Sequence, residues 1–284
     1  MGRYSQLAHQ KFLNSGNSVG YCAICRKKSK LTKDHVPPKS CANRDAVVLE
    51  HIYKLHQNIS VKKPTISQGG LHFRTICSDC NNDYLGIRYD PALIDVVRKI
   101  NGCLKGLIEQ GFTSLINESF EYQPNKFMRS IVGHLLAANA VEDIKTDINV
   151  AKLDAVLRSY FLEPSAPFPE NVHFYLWFHP FNKIHIIKHG AMGSLGSGAN
   201  VIYGHLFKFY PFGVWIVKNA PDEVSQINLN LQRIDLDSSS DIDKIDKLHI
   251  QLSPIPRPHW PETPSDDGIW LINDACASQA IPKI

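Results

Sequence analysis

The apolar positions of this 284-residue chain change period along its length. Before residue 90 they come in short interrupted groups. Leu31–Val36 reads as a strand stopped by Pro37-Pro38, which cannot donate to a ladder. Leu71–Ile76 alternates as a second strand, and a short helix is expected over Asn81–Ile87. Between them, Ala46–Gln57 carries Val47, Val48, Leu49, Ile52 and Leu55 in an imperfect helical stripe, followed by a loop with Pro64 and Gly69-Gly70. Residues 1–20 read as a polar lead-in, helical in part.

From 91 to 163 the period is helical. Pro91 suits the first helical position after Asp90 as N-cap, and Leu93, Val96, Val97, Ile100, Leu104 and Leu107 follow on one face. Asn125–Ala140 and Val150–Leu162 continue the pattern, and Pro164, Pro167 and Pro169 close it. Beyond 171 the period becomes two. Strands are expected at Val172–Phe178, Lys183–Lys188, Val201–Tyr210, Val214–Val217, Ile227–Ile234, Leu248–Leu252 and Ile269–Ile272, forming an antiparallel sheet or small barrel. The fold class expected is therefore α+β: an N-terminal module at 1–90, a helical middle region at 91–163 and a C-terminal antiparallel β domain at 164–284.

Composition is that of an ordinary globular protein, and no apolar run reaches membrane-spanning length. Met1–Gln6 lacks the apolar core of a signal peptide, so a cytoplasmic location and no membrane partner are expected. The net charge of +4 hides an asymmetry: residues 1–90 hold 14 Lys/Arg against 6 Asp/Glu, and the remainder 17 against 21. A basic N-terminal third suggests a polyanion, nucleic acid above all.

Four of the seven cysteines fall in two Cys-x2-Cys pairs, Cys22/Cys25 and Cys77/Cys80. In a chain without a secretion signal that spacing reads as a closed tetrathiolate site for one structural Zn2+. The other three, Cys41, Cys103 and Cys276, read as small buried hydrophobes. A zinc joining the pairs would bring Asp34-His35 beside Leu71–Ile76 and the start of the following helix, so that Asp34, His35, His72 and Asn81 converge. These are the residue types phosphodiester hydrolysis uses. A hard cation, Mg2+ or Mn2+, takes oxygen from Asp34 and Asn81, and neutral His35 accepts a proton from the attacking water.

Asp34-His35-Val36-Pro37-Pro38 followed by Ile76-Cys77-Ser78-Asp79-Cys80-Asn81 resembles the HNH endonucleases of the ββα-metal fold, over residues 21–90. By motif position the resemblance implies His35 as general base, Asp34 and Asn81 as ligands of the catalytic cation, and His72 where the family usually has Asn. One turn beyond Asn81 the family often has a further His or Asn; here Leu85 stands. The resemblance implies an endonuclease with DNA as expected substrate, in a restriction or antiphage setting. Lys33, Lys39, Arg44, Lys62, Lys63, Arg74 and Arg88 are candidates for nucleic-acid contacts. The alternative is a non-catalytic zinc-dependent adaptor that binds nucleic acid or protein, with a protein partner docking on the C-terminal β domain.

Other patterns carry less. His51 and His56, five apart on the expected insertion helix, do not share a face. Gly190–Gly198 lacks a P-loop ending and reads as an inter-strand loop, and Asp235–Asp246 departs from a calcium loop at Ser240 and Asp246. Five prolines from 254 to 264 make an extended connector around Trp260. Trp177, Trp215 and Trp270 are expected in the core, and Tyr203, His205, Phe207 and Phe209 share a strand face that reads as core more than as a base-stacking platform.

Overall fold

A computed structural model describes residues 18–51, 65–109, 116–139, 151–194, 202–218, 232–234, 241–252, 268–271 and 277–282. The first Cys-x2-Cys pair makes the loop of a hairpin between β1 (Val19–Tyr21) and β2 (Lys28–His35). The loop closes through Arg26 N–H to the Cys22 carbonyl, with Arg26 at φ 62°. On its other edge β2 pairs with β5 (His72–Cys77), and the second Cys-x2-Cys pair spans the end of β5 and the first turn of α1 (Asp79–Tyr89). Both knuckles therefore lie at one end of a three-stranded sheet.

Helix α1 is wound with π-type hydrogen bonds, as in the bond from Asp90 N–H to the Leu85 carbonyl, and runs directly into α2 (Asp90–Glu109). Asp90 is thus not the cap expected from the sequence. Its backbone is helical at both ends, and Pro91 follows at the junction between the two windings. Winding of the π type commonly marks a functional segment.

Within the segment expected as an insertion helix, Val47–His51 is instead β3, pairing with β4 (Thr65–Ser67), and 52–57 lie outside the described residues. Val47 and Leu49 are buried while Val48 between them is less so, an alternation of period two that β-branched residues favour over a helix. His51 is therefore on a strand; His56, Lys62 and Lys63 lie outside the described residues. Within the region expected to be all helical, β6 (Ile116–Tyr122) also appears, paired with β12 (Asp246–Leu252). That pairing is long-range, so helical periodicity in the surrounding sequence could not reveal it.

Helices α3 (Pro124–Ala137) and α4 (Ala151–Leu162) form where helical spacing placed them. Almost every residue of α3 is buried, as a central helix requires. Phe127 packs edge-on against Tyr122, Phe174 and Phe212. Gly133 lets α1 and α4 approach: a Cβ there would lie 2.4 Å from Phe161 and 2.6 Å from Leu85.

The large sheet runs β11 (Gln232–Ile234), β7 (Val172–Phe178), β10 (Phe212–Lys218), β9 (Ile202–Phe209), β8 (Ile184–Ser194), β14 (Ala277–Pro282), β3, β4, with β13 (Gly268–Leu271) also on β8. Every strand pairing described is antiparallel. Gly190–Ser194 continues β8 rather than forming a loop, and 195–198 lie outside the described residues. Trp177 and Trp215 are core, as are His205, Phe207 and Phe209. Residues 241–245 form a turn region before β12; 235–240, the proline connector at 254–264, Trp260 and Cys276 are outside the described residues.

One buried cluster extends from Cys22 through the helices to Ala280, crossing both expected domain boundaries. Strand β14 joins β3 to β8, so residues near the N-terminus belong to the same sheet as residues beyond 171. The chain is thus of mixed helix and sheet class, with few helices and several antiparallel sheets. No helix among the described residues is long and apolar enough to cross a membrane.

Candidate functional site

The sulfur atoms of Cys22, Cys25, Cys77 and Cys80 all lie within 4.8 Å of one another. Cys25 and Cys77 are 3.7 Å apart, and the Cys77 amide donates to Cys22 Sγ at 3.4 Å. Cys80 as a thiol donor holds Cys22 down at about 5 and is itself pushed up, while burial pushes Cys25 up to about 11. Four sulfurs converging from two knuckles fit a tetrahedral dication such as zinc, which would displace the remaining thiol protons. Exposed Arg26, Lys27 and Lys28 follow the first knuckle, where they offset the charge of a tetrathiolate.

Beyond the cysteines the β2–β5 ladder breaks register between Thr32 and Asp34. Asn81, in the first turns of α1, spans the break: its Nδ2 donates to Thr32 Oγ1 at 3.0 Å and to the Lys33 carbonyl at 3.1 Å. The bulge turns Asp34 into the core, and alternation along the strand then sends His35 to the opposite face.

His35 and His72 are directly paired across the ladder, with ring centroids 5.4 Å apart. The Gly69-Gly70 turn, at φ 73° and 92°, holds both rings, a backbone that glycine alone adopts at no steric cost. His35 donates from Nε2 to the Gly69 carbonyl at 3.0 Å, and His72 from Nδ1 to the Gly70 carbonyl at 3.1 Å. Since a carbonyl can only accept, the neutral His35 ring has its lone pair on Nδ1. The buried Nε2 of His72 has no partner among the described residues. Burial lowers the pKa of both rings, reinforced by Lys39 and Lys33 at His35 and by Lys33, Arg74 and Lys39 at His72. Both are neutral at neutral pH. Of the expected nucleic-acid contacts, Lys33 and Lys39 thus act on both imidazoles and Arg74 on that of His72. Arg44 is exposed, its Nε bonded to the Lys39 carbonyl, and Arg88 is exposed over the Tyr84 ring.

Asp34 is 5% exposed, and its Oδ2 accepts from His134 Nδ1 at 3.1 Å. His134 Nε2 donates in turn to Asp90 Oδ1 at 3.0 Å, which also accepts from Ser130 Oγ at 2.7 Å. Burial by itself would depress the His134 pKa; the two carboxylates reverse this and raise it to about 10. Burial pushes Asp34 upward against the pull of that imidazolium. The carboxylate expected to face a phosphate is therefore buried and engaged by His134, while Asn81 is committed through its Nδ2 to β2.

Two residues that position this site were not apparent from sequence. Asn43, 1% exposed, donates to the Pro37 and Leu71 carbonyls at 2.7 and 2.8 Å and accepts from Leu71 N–H at 2.7 Å, tying the turn after His35 to the turn before His72. No local pattern announces it. His134 had a signal: Ser130 and His134 are polar at i and i+4 in the apolar C-terminal half of the helix. No family model, no curated protein and no solved structure matches the chain.

Proposed function

We propose that the chain is an HNH-type endonuclease that hydrolyses phosphodiester bonds, with DNA as substrate and His35 as general base. One observation carries the reading. His35 ties its Nε2–H to the Gly69 carbonyl and burial lowers its pKa, which leaves Nδ1 as the proton acceptor, with Lys39 and Lys33 acting on the same ring. A base of this kind takes a proton from water, and the cations neutralise phosphate charge. The strand–strand–helix order of β2, β5 and α1, stapled by four cysteines, supports the assignment.

Asp34 and Asn81 offer a carboxylate and an amide oxygen, the hard donors that Mg2+ or Mn2+ takes. Bound between them, such a cation would stabilise charge developing on the scissile phosphate. His72, Asn43 and the Gly69-Gly70 turn then orient His35, and Asn81 fixes the bulge that precedes Asp34.

The bond from His134 to Asp34 favours a second reading, a zinc-dependent nucleic-acid-binding adaptor without cleavage. Plasmid DNA incubated with the purified protein in Mg2+ or Mn2+, with and without chelator, separates the two. The nuclease reading expects nicking that His35→Ala abolishes with zinc content unchanged. Salt-sensitive binding with no cleavage in either cation supports the adaptor instead, and full activity of His35→Ala removes that residue as the base.

A further inference from the structure

A second cluster of titratable groups, on α4, β8 and β9, shares no residue with the site above. Asp154 of α4 is buried, and its Oδ1 accepts from His205 Nε2 at 2.8 Å. Its Oδ2 lies 3.2 Å from Lys188 Nζ, 3.5 Å from His189 Nε2 and 3.7 Å from Arg158 Nη2. Lys188 also donates to Asn139 Oδ1, and His189 Nδ1 lies 2.7 Å from the Tyr203 hydroxyl.

Asp154, His189 and His205 lie close enough to suggest a metal site, but the protons are already allocated. The His189 backbone N–H donates to His205 Nδ1 at 3.1 Å, so neutral His205 keeps its proton on Nε2, facing Asp154. Ligation there would demand an imidazolate, and the Lys188 ammonium already neutralises the carboxylate. Although burial opposes it, Lys188 and the bonds from His189 and His205 hold Asp154 well below the usual carboxylate range. An ionised Asp154 takes Nε2–H of His189, so Nδ1 accepts and the Tyr203 O–H donates. The series is hydroxyl, imidazole, carboxylate: a nucleophile in reach of a base that a third group orients.

Two further features point outward from this series. His189 has φ 54°, a left-handed backbone that a non-glycine residue seldom adopts, at the register break of β8 between Ile187 and Gly190. Lys218 stands directly across from Tyr203 on β10, and Val172 directly across from Lys218 on β7, so all three project from the same face. Val172 and Lys218 line a cavity of about 280 Å³ against Leu153 and Val156 of α4, with exposed Glu170 at its rim. The half-buried Tyr203 is therefore the cross-strand neighbour of a lysine that lines the cavity.

We propose that Tyr203 is the nucleophile of a second, phosphoryl-transfer site, with His189 as its base and Asp154 as the positioning carboxylate, acting on a phosphate ester bound beside Lys218. Tyr203 Oη forms a bond to phosphorus as the ester P–O bond breaks. The phenolic proton passes to His189 Nδ1 and from there to the departing alcohol oxygen. Water then attacks the phosphotyrosyl group, giving its proton to His189; the Tyr203–phosphorus bond breaks and the proton returns to Tyr203. Neither step uses His35, Asp34 or Asn81.

The test uses the full-length protein with bis(p-nitrophenyl) phosphate and no added divalent cation. Expected are nitrophenolate release and, after rapid quench and mass spectrometry, a p-nitrophenyl phosphoryl adduct on Tyr203. Tyr203→Phe should lose both. His189→Asn, chosen because Asn tolerates a left-handed backbone, should slow release by about 10²-fold or more, with thermal unfolding confirming that both variants fold. No adduct on Tyr203, or release at the unaltered rate in Tyr203→Phe, overturns the proposal.

Discussion

His134 Nδ1 lies 3.1 Å from Asp34 Oδ2 although the two residues are 100 positions apart. The bond joins the strand that carries His35 to the central helix, and through Asp90 it reaches the end of the helix that carries Asn81. Removing the imidazolium leaves two carboxylates facing each other out of water. His134→Ala is expected to cost about 3–5 kcal/mol in urea unfolding. Asp34→Asn should recover part of that loss when combined with it, since the two residues share one interaction. Strict additivity of the two substitutions would mean that the contact contributes nothing.

Metal analysis should find one zinc per chain, and Cys80→Ser should lower that content together with the thermal midpoint. Cys22 begins its knuckle within a hairpin loop while Cys77 and Cys80 sit 55 or more positions later. Losing the shared ion therefore detaches the loop from the strand–helix junction, and metal binding of this kind contributes directly to folding. Equal zinc content in Cys80→Ser would exclude that residue as a ligand.

Lys33, Lys39 and Arg74 all act on the imidazole pair. If they contact phosphates, each replacement by Ala should weaken DNA binding and flatten the plot of log affinity against log salt by about 0.9. Unchanged slopes in all three would place the nucleic-acid surface elsewhere.

His205 is held neutral: burial lowers its pKa from 6.5 to about 4 despite the bond to Asp154. The unfolded chain takes up this proton first, so the contribution to stability is complete above pH 6.5 and declines as pH falls toward 4. The slope attributable to this one group is at most about 1.4 kcal/mol per pH unit. His205→Gln can keep both hydrogen bonds without titrating and should flatten the stability profile in that window. An identical acid profile in the variant would remove His205 as its source.

Much of the candidate site was legible because it is written locally. Cys-x2-Cys spacing, Asp34-His35 before two prolines, and Gly69-Gly70 before a strand each have a short-range physical meaning, and the strand and helix at either side of Cys77 follow the expected periods. Period also located α3, α4 and most of β7 to β10. It failed at Val47–His51, where apolar residues in sequence fit helix and strand alike until partners on β4 and β14 decide between them. It failed at Ile116–Tyr122 for the same reason.

The chain's own spacing determined which residues can be close: two cysteine pairs around an Asp-His strand, with helices following over 91–163. Packing alone decided what each functional group faces. A register break before Asp34 turned its carboxylate into the core, and a helix 100 residues away supplied the cation that Asp34 meets. Side-chain direction depends on register and on neighbours brought in by long-range burial, and neither is encoded in any short stretch of sequence.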